Sequence, residues 1–377
     1  MRVLQLGKFY PLIGGVEKVM YDLTLGLSER GIHCDMMCTG SDGRAETIKL
    51  NEYAKLICCK TLFKFAATTV SYDMIRQLKN VCSNYDIIHI HHPDPMACLA
   101  LYLSGYKGKV MLHWHSDILK QRLLLKFYIP LQRWLLNRAD LIVGTSPLYI
   151  KESPYLQDVQ YKTTYAPIGI NPVKYSDDEA NELRKKYHNK KIIFGMGRLV
   201  EYKGFRYLID AARYLSDEYL IIIGGDGPLR SVLEEQIRNE NLSDKVKLIG
   251  YVPEEKLPAY YGACELFCLS SIYRTEAFAI VQVEAMSCGK PVVATTIKGS
   301  GVSWVNKNGF SGLNVEPGNS RKLAEAIISI CSDSATYNIF CEQARTRFET
   351  CFEKSLMIDK CLTLYENIIS GKNGIVI

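Results

Sequence analysis

The chain has 377 residues, of which 47% are hydrophobic and 23% charged, enough to build the cores of two ordinary globular domains. These proportions exclude a fibrous or a disordered chain. The net charge of +6 lies in the first half, because residues 1–170 carry 20 basic and 14 acidic side chains and residues 171–377 carry 26 of each. A basic half favours an anionic partner such as a membrane surface, a phosphorylated lipid or nucleic acid, or is simply a solvated face.

Cysteine content and the start of the chain indicate the compartment. The 13 cysteines include no CxxC pair and lie mostly in apolar surroundings, so we expect reduced, buried thiols. No signal-peptide pattern is seen at the N-terminus, and no apolar run approaches the ~20 residues that a membrane span needs. We therefore expect a cytoplasmic protein that is soluble or lies on a membrane surface.

In the first half, short apolar runs alternate with helical patterns. Strands are predicted at Val3–Leu6, Asp86–Ile90, Val110–Trp114 and Leu141–Val143, and helices include Val16–Glu29 and Tyr72–Val81. Strands that alternate with helices predict a parallel sheet covered by helices on both faces.

Turn residues at Ile168–Pro172 and a polar stretch interrupt this pattern, which then restarts. Strands are predicted at Ile192–Met196, Tyr219–Ile223, Val246–Leu248, Glu265–Leu269, Val292–Thr295 and Gly312–Val315, and helices at 204–215, 228–239, 254–263, 278–287 and 319–331. The pattern predicts two doubly wound α/β domains, at 1–170 and 191–350, joined by a linker at 171–190. A strongly helical tail follows at 335–371.

Three glycine-rich turns lie between a predicted strand and a helix. They are Gly14-Gly15, Gly195–Arg198 and Gly224–Pro228. Helix N-termini at the carboxyl ends of parallel strands suit phosphate. None of the turns has the dinucleotide fingerprint GxGxxG, and the sequence has no GxxxxGK[ST] loop. The alternative is a steric role for glycine in tight turns.

Two cations and two carboxylates are the stronger chemical signals. Arg198 and Lys203 lie in one short loop after a predicted central strand, with no obvious partner, and together favour phosphate over a solvated basic loop. Glu276 lies at the entrance of the helix predicted at 278–287, and Glu284 lies two turns further in, among apolar residues. A buried carboxylate needs a partner, such as a ribose diol. A helix-capping role explains Glu276 but not Glu284.

Several segments occur together in a specific order and spacing. They are GGVE at 14–17, HWHSD at 113–117, ADLIVGTS at 139–146, APIGIN at 166–171, GRLVEYKG at 197–204, GGDGP at 224–228, GYVP at 250–253 and EAFAIVQVEAMSCGKPVVAT at 276–295. With these segments the chain resembles the retaining GT-B glycosyltransferases of family 4 over nearly its whole length.

The resemblance implies a fold and an activity. The fold is GT-B, with two Rossmann-like domains facing a central cleft and a C-terminal helix at 351–377 that crosses back to the N-terminal domain. The activity is transfer of a hexosyl unit from a UDP- or GDP-linked sugar to a saccharide or lipid-linked acceptor with retention of configuration, in bacterial O-antigen, capsule or lipopolysaccharide synthesis. The alternative from another class is a non-catalytic nucleotide- or glycan-binding protein on the same fold.

The resemblance also implies roles for individual residues. Glu276 and His115 are the expected catalytic residues, Glu276 at donor-sugar hydroxyls and His115 at the reacting centre. Donor contacts are expected from Gly14, Gly15, Arg198, Lys203, Tyr251, Val252, Phe278, Ala279, Ile280 and Glu284. Arg198 and Lys203 would hold the diphosphate, Glu284 the ribose hydroxyls, and the backbone near Tyr251 and Val252 the base.

The chain departs from the usual family pattern at two places. The family motif EAFG is here EAFA, and because helical dihedral angles accept alanine, we expect Ala279 to alter the fit of the sugar without abolishing activity. The segment Gly299–Trp304 has no acidic residue where many members have one.

Five of the seven histidines fall between residues 89 and 115. They are His89, His91, His92, His113 and His115. Because no cysteine or acidic ligand set flanks them, we expect no metal here, and histidines at strand ends fit a sugar site better. The alternative for His89 is an ordinary buried histidine. We expect no other cofactor.

Basic and apolar residues are mixed along Leu119–Arg138. This segment is either a surface that meets anionic lipid or a core-facing helix with a basic outer face. We expect peripheral membrane contact through the basic N-terminal domain. We expect no nucleic-acid partner, because the basic residues lack interleaved aromatic residues in a stacking pattern.

Overall fold

The computed structural model describes residues 1–12, 14–40, 43–65, 68–118 and 122–371. The chain divides into two compact units. The first comprises Met1–Gly169 and Lys354–Ile377, and the second comprises Ile170–Glu353.

Strands and helices alternate from the start of the chain. Up to residue 169 the elements are β1 Arg2–Tyr10, α1 Gly15–Ser28, β2 His33–Gly40, β3 Glu46–Lys49, β4 Lys55–Cys59, β5 Phe63–Phe65, β6 Thr68–Val70, α2 Tyr72–Val81, β7 Ile87–His92, α3 Pro95–Ser104, β8 Lys109–Trp114, α4 Arg122–Arg138, β9 Leu141–Gly144, α5 Pro147–Glu152 and β10 Thr163–Tyr165. After residue 169 they are α6 Asp177–Lys186, β11 Lys191–Met196, α7 Phe205–Ala211, β12 Tyr219–Gly224, α8 Arg230–Asn239, β13 Val246–Gly250, α9 Leu257–Ala263, β14 Leu266–Cys268, α10 Ile280–Ser287, β15 Val292–Thr295, α11 Val302–Val305, β16 Gly312–Val315, α12 Ser320–Cys331, α13 Ser334–Cys351 and α14 Lys354–Ser370.

Each unit is built on one large sheet. Among the described residues, the first sheet has the strand order β10-β9-β8-β7-β1-β2-β4-β3, and only the β3–β4 pair is antiparallel. The second sheet has the order β13-β12-β11-β14-β15-β16, and its pairs are parallel. Every residue of β7 and of β12 is buried, as expected of central parallel strands with helices on both faces. The predicted fold of two Rossmann-like α/β domains is confirmed.

Three segments differ from their sequence-based description. Residues 171–190 contain α6, whose first turn is capped by the Ser176 side chain, and they belong to the second unit. The helical tail breaks between α13 and α14, so that α13 belongs to the second unit and α14 to the first. Helix α10 begins at Ile280, two residues later than predicted.

The structure also describes the cysteines and the apolar character of the helices. Each of the thirteen cysteines is a free thiol, and ten are buried. No helix within the described ranges combines the length and the apolar character needed to cross a bilayer.

Candidate active site

The predicted donor-binding residues of the second unit follow four neighbouring strands. Arg198 and Lys203 follow β11, Tyr251 follows β13, and Glu276 follows β14, while the Gly224 turn ends β12. Because these strands are parallel and adjacent, their carboxyl ends share one edge of the sheet. The second unit thus carries these predicted residues at the edge where α/β sheets bind ligands.

Lys203 and Glu276 form a buried ion pair at this edge. Lys203 Nζ lies 2.6 Å from Glu276 Oε2, and their side chains are 11% and 10% exposed. The sequence showed no obvious partner near Lys203, and the structure supplies one that is distant in sequence, Glu276. Withdrawal of both charges from water strengthens their attraction and makes each costly to leave alone.

Glycine is required beside this lysine. Gly204 adopts φ 63°, and a Cβ there would lie 2.2 Å from the carbonyl oxygen of Ser270. The hydroxyl of Ser270 donates to the carbonyl of Lys203 over 3.0 Å. The loop after β11 is therefore packed directly on the loop after β14, which brings the two charges together.

Two serines that the sequence analysis did not single out fix Glu276. The Ser271 hydroxyl donates to Glu276 Oε2 over 2.9 Å, and the Ser300 hydroxyl donates to the Glu276 carbonyl. The N–H of Gly301 donates to the Ala277 carbonyl over 2.9 Å. The loop Gly299–Trp304, which lacks the usual acid, thus positions Glu276 through hydrogen bonds. Serines are too common for their spacing alone to have signalled this role.

Arg198 is an exposed cation at this edge. It lies between Gly197, whose N–H donates to the Gly224 carbonyl over 3.0 Å, and Leu199, whose N–H donates to the Asp226 carbonyl over 2.9 Å. These bonds join the loops after β11 and β12. Arg198 thus projects from a fixed backbone and keeps a guanidinium available for an anion.

Ala279 precedes α10 in a left-handed conformation, with φ 62° and ψ 77°. Our premise that alanine here has helical dihedral angles is wrong, because the helix starts one residue later. The Phe278 side chain is buried and packs edge-on against Phe352, with ring centroids 5.9 Å apart. Phe278 therefore has only its backbone to offer a ligand, whereas Ile280 opens the helix and is half-buried.

Glu284 has a partner within the protein. The Tyr261 hydroxyl donates to Glu284 Oε2 over 2.6 Å, and Tyr261 is fully buried. Burial raises the pKa of Glu284, and the Tyr261 hydrogen bond opposes part of that rise. The half-buried carboxylate is thus anchored through one oxygen.

The turn after β13 places Tyr251 and Val252 beside the exit of β12. Gly250 ends the strand with φ 73°, and its carbonyl accepts a hydrogen bond from the Gly225 N–H over 2.7 Å. Tyr251 is 73% exposed and Val252 is buried. The exposed Tyr251 is available to a flat ligand, and Val252 secures the turn.

In the first unit, Gly14 and Gly15 form the start of α1. Gly14 is the residue before the helix, in an extended conformation, and both glycines are exposed. No side chain caps this end of α1 within the described range, and the buried Glu17 carboxylate of the first turn lies beside Gly14.

Four of the histidines stand on adjacent strands and pack on one another. His89 and His91 lie on β7, and His113 lies on β8 with His115 directly after it. The His113 and His115 rings are nearly parallel, with centroids 4.1 Å apart. Burial lowers the pKa of each, to about 3 for His113. All four rings are therefore neutral at pH 7.

His92 lies apart from this group. Its ring stacks on Trp114, with centroids 3.7 Å apart. Asp117, from the HWHSD segment, accepts hydrogen bonds from Trp114 Nε1 and from the Ser153 hydroxyl, each over 2.8 Å. These contacts hold the backbone that carries His115, a role for which the sequence offered no signal.

Within the described part of the chain, His89, His91 and His113 form the one group of histidine, cysteine and acidic residues whose ligand atoms could surround a metal ion. One nitrogen from each lies within 4.8 Å of the others. Both nitrogens of His91, however, already form hydrogen bonds, to His115 Nε2 and to Gln5 Oε1, each over 2.8 Å. Of these three residues, only His89 and His113 have a nitrogen without a hydrogen-bond partner, and two ligands are fewer than the three or four that zinc usually takes from a protein.

The basic segment predicted at Leu119–Arg138 corresponds mainly to α4. Residues 119–121 lie outside the described ranges. Lys126 and Arg133 are exposed, and the Phe127 side chain is 85% exposed, whereas Tyr128 and Leu135 are buried. The helix therefore has a core-facing side and a basic outer side that includes an exposed aromatic ring.

Comparison with known proteins identifies the family. Residues 176–347 match the family described as Glycosyl transferases group 1, and residues 13–153 match Glycosyltransferase Family 4. The O-antigen chain mannosyltransferase C of Escherichia coli is 31% identical over 99% of this chain and 100% of its own length. The D-rhamnosyltransferase WbpZ of Pseudomonas aeruginosa is 30% identical over 84% of this chain and 83% of its own.

Solved structures share the fold over the whole chain. Anabaena Alr3699/HepE, solved in complex with UDP, has a TM-score of 0.78 at 19% identity, covering 97% of this chain and 100% of that structure. Sucrose-phosphate synthase from Thermosynechococcus elongatus has a TM-score of 0.79 at 20% identity, covering 99% and 100%. The fold is that of the GT-B glycosyltransferases. The chain belongs to the group 1 glycosyltransferases and is accordingly a sugar-transferring enzyme.

Proposed function

We propose that this glycosyltransferase moves a hexosyl unit from a UDP- or GDP-linked sugar to a saccharide or lipid-linked saccharide, with retention of configuration. The observation that carries the proposal is the buried Lys203–Glu276 pair beside the exposed Arg198, at the carboxyl edge of the second sheet. A diphosphate leaving group gains negative charge as the glycosidic bond breaks, and fixed cations stabilise that charge.

The other second-unit residues complete a donor site in this proposal. The N–H groups at Phe278, Ala279 and Ile280 face sugar or phosphate oxygens, and Glu284 takes the ribose hydroxyls through the carboxylate oxygen that Tyr261 leaves uncommitted. The backbone at Tyr251 and Val252 contacts the base. In the first unit, Gly14 and Gly15 leave room for the donor, and His115 contacts the sugar.

For the chemical step we propose that the acceptor hydroxyl attacks the donor sugar on the same face from which the leaving group departs. Retaining hydrolases use two carboxylates ~5–5.5 Å apart, one of them a nucleophile. Glu276 is already bound by Lys203 and Ser271, so we assign it to sugar hydroxyls, and a leaving phosphate oxygen accepts the proton from the acceptor hydroxyl. A covalent sugar adduct on Glu276 would refute this assignment. We propose a reaction without metal or other cofactor. At the histidine group this fits the hydrogen bonds that already occupy both nitrogens of His91.

The relatives suggest the donor and the setting. Two of them, about one-third identical, are named for transfer of mannose and of D-rhamnose, and the first of these acts on an O-antigen chain. We propose a manno-configured donor sugar and a place in bacterial surface polysaccharide synthesis. The exposed Lys126, Phe127 and Arg133 support contact with the anionic inner face of the cytoplasmic membrane.

The test is nucleotide release and sugar transfer across a panel of UDP- and GDP-linked hexoses that includes GDP-mannose. We expect turnover of one donor, and we expect Lys203→Ala to lower kcat/KM by ~10- to 100-fold, the range for loss of a charge-assisted hydrogen bond. Lys245→Ala is the matched control. Lys245 pairs with Asp217 over 3.1 Å just before β13, at the opposite edge of the sheet, and should leave activity unchanged.

The same panel separates the proposal from its rival. Tight nucleotide binding without turnover, even with lipid-linked acceptors present, would favour a non-catalytic binding protein. The configuration of the new glycosidic bond, read by NMR, decides retention. No binding of any nucleotide sugar would refute the donor assignment altogether.

A further inference from the structure

A chain of buried hydrogen bonds runs through the first unit and ends at His115. Gln5 on β1 connects two arms. In one arm Gln5 Nε2 donates to the Tyr365 hydroxyl over 3.0 Å, and that hydroxyl lies 2.6 Å from His89 Nδ1. In the other, Gln5 Oε1 lies 2.8 Å from His91 Nε2, and His91 Nδ1 lies 2.8 Å from His115 Nε2.

The Gln5 amide lies between Tyr365 and His91. Helix α14 brings this tyrosine back onto the first sheet, and its side chain, like that of Gln5, is fully buried. The amide NH₂ group faces the Tyr365 hydroxyl and the Cys34 sulfur, the latter at 3.7 Å. In this structure the amide oxygen faces His91, and because an amide oxygen can only accept, His91 Nε2 carries a hydrogen in this arrangement.

The polarity of the next bond follows. Burial keeps His91 neutral, so its Nδ1 is bare and can only accept a hydrogen bond. His115 must then carry its own hydrogen on Nε2 and donate it to His91. Because His115 is neutral as well, its Nδ1 is a bare acceptor, and within the described part of the chain this buried atom has no partner.

The His115 ring is also fixed in position. It stacks on His113 at a centroid distance of 4.1 Å, and the backbone N–H of His115 donates to the carbonyl of His92 over 3.1 Å. An unpaired buried acceptor costs ~1–3 kcal/mol, so the fold holds this nitrogen at a cost to stability. A group that costs stability and is held so firmly is typical of a functional site.

We propose that Gln5, acting through His91, is a positioning residue that holds His115 in the Nε2–H tautomer, so that Nδ1 accepts a hydrogen bond from a saccharide hydroxyl. The identity of the hydroxyl's owner, donor or acceptor saccharide, rests on the proposed function, whereas the tautomer does not. Protein covers Nδ1 in this structure, and an arriving hydroxyl has to displace that cover.

The tautomer is measured first, without substrate. Histidine-labelled protein gives long-range ¹H–¹⁵N spectra that distinguish the Nε2–H from the Nδ1–H form, and loss of a signal in His115→Gln assigns it. We expect His115 as Nε2–H in the wild type and a mixture in Gln5→Met, which has no amide oxygen. Gln5→Glu keeps an acceptor oxygen toward His91 and should restore the Nε2–H form. Wild-type His115 protonated on Nδ1 would overturn the inference.

Sugar transfer is measured on the same variants. We expect Gln5→Met to lower kcat/KM by ~3- to 10-fold, the range for one ordinary hydrogen bond, and Gln5→Glu to recover most of that loss. Leu4→Met is the matched control, because Leu4 is equally buried on β1 but points to the opposite face. An equal loss of kcat/KM in Leu4→Met, or no recovery of kcat/KM in Gln5→Glu, would show that Gln5 contributes only through packing and would overturn the inference.

The two measurements fail separately. A wild-type protein with the expected tautomer that transfers no sugar from any donor would refute the proposed function, and with it the saccharide assigned to Nδ1. Sugar transfer by a protein with the opposite tautomer would leave the proposed function standing and refute the role of Gln5.

Discussion

Replacing Ala279 with glycine should cost the second unit little stability, in contrast to an ordinary buried alanine. The left-handed conformation of Ala279, at φ 62°, costs an L-residue ~1–2 kcal/mol, and glycine avoids that cost. Against this gain stand the lost burial of one methyl group, ~0.8 kcal/mol, and the greater freedom of glycine in the unfolded chain, ~0.4–1 kcal/mol. The opposing contributions nearly cancel.

Ala212→Gly is the matched control in the same unit. Ala212 is buried too, but it has the ordinary right-handed conformation, with φ −58° and ψ −23°. Here glycine relieves no strain and loses the methyl contact, for a cost of ~2 kcal/mol. In a unit of this size that corresponds to a fall in Tm of ~4–8 °C, whereas Ala279→Gly should shift Tm by less than ~2 °C.

The assay is scanning calorimetry of the full chain, with each variant compared at one pH and one scan rate. An Ala279→Gly protein destabilised as much as Ala212→Gly would refute the claim that Ala279 stores backbone strain. In the transfer assay we expect Ala279→Gly to remain active and to change the relative rates among donor sugars. Equal relative rates for all donors would show that the Ala279 methyl plays no part in fitting the sugar.

Three further predictions concern ionisable groups that are buried wholly or in part. Lys203→Met or Glu276→Gln alone should lower the free energy of unfolding by ~3–5 kcal/mol, because each leaves one buried charge unpaired. The double variant should lose less than the sum of the two single variants, which a calorimetric double-mutant cycle measures. Burial raises the pKa of Glu284, so protonation of its carboxyl group favours the folded state. This stabilisation is present below the unfolded pKa of 4.5 and is lost as the pH rises through the raised folded pKa. In urea unfolding, the stability of Glu284→Gln relative to the wild type should therefore increase as the pH rises. Burial lowers the pKa of His113 from 6.5 to about 3, so the neutral ring favours the folded state. This stabilisation is present above pH 6.5 and decreases by ~1.4 kcal/mol per pH unit as the pH falls toward 3. If the free energy of unfolding of His113→Gln depended on acid pH in the same way as that of the wild type, this reasoning would be refuted.

The sequence predicted the elements whose signal is local. Every strand predicted from an apolar run is present, because central parallel strands are buried on both faces and need no alternation. Strand β2 escaped notice because Asp35 and three polar or small residues interrupt its apolar run, yet Asp35 is buried and accepts a hydrogen bond from Tyr85 over 2.7 Å. Helix α6 was hidden among charges, as expected of a surface helix with one buried residue, Ala180.

The sequence indicated candidate site residues one by one but not the pairs that they form. The spacing of Arg198, Lys203 and Glu276 indicated phosphate and sugar chemistry, yet nothing local showed that Lys203 meets Glu276. Likewise, Gln5 and Tyr365 are 360 positions apart and are joined only because α14 packs on the first sheet. Contacts of this kind depend on topology, which a single sequence does not encode locally.

In the proposed donor site, the Lys203–Glu276 pair would affect how a diphosphate binds. Because Glu276 already neutralises Lys203, we expect an approaching phosphate to meet the exposed Arg198 before it meets Lys203. Lys203 can turn to the phosphate only if Glu276 gains another partner, and the hydroxyls of the donor sugar are such partners. The phosphate and sugar parts of the donor should therefore bind cooperatively. A nucleoside diphosphate without its sugar contacts Arg198 but does not break the Lys203–Glu276 ion pair. Equal heats and affinities for the diphosphate and the intact nucleotide sugar in isothermal titration would refute this coupling. The variant Glu276→Gln frees Lys203, so it should bind the diphosphate alone more tightly than the wild type does.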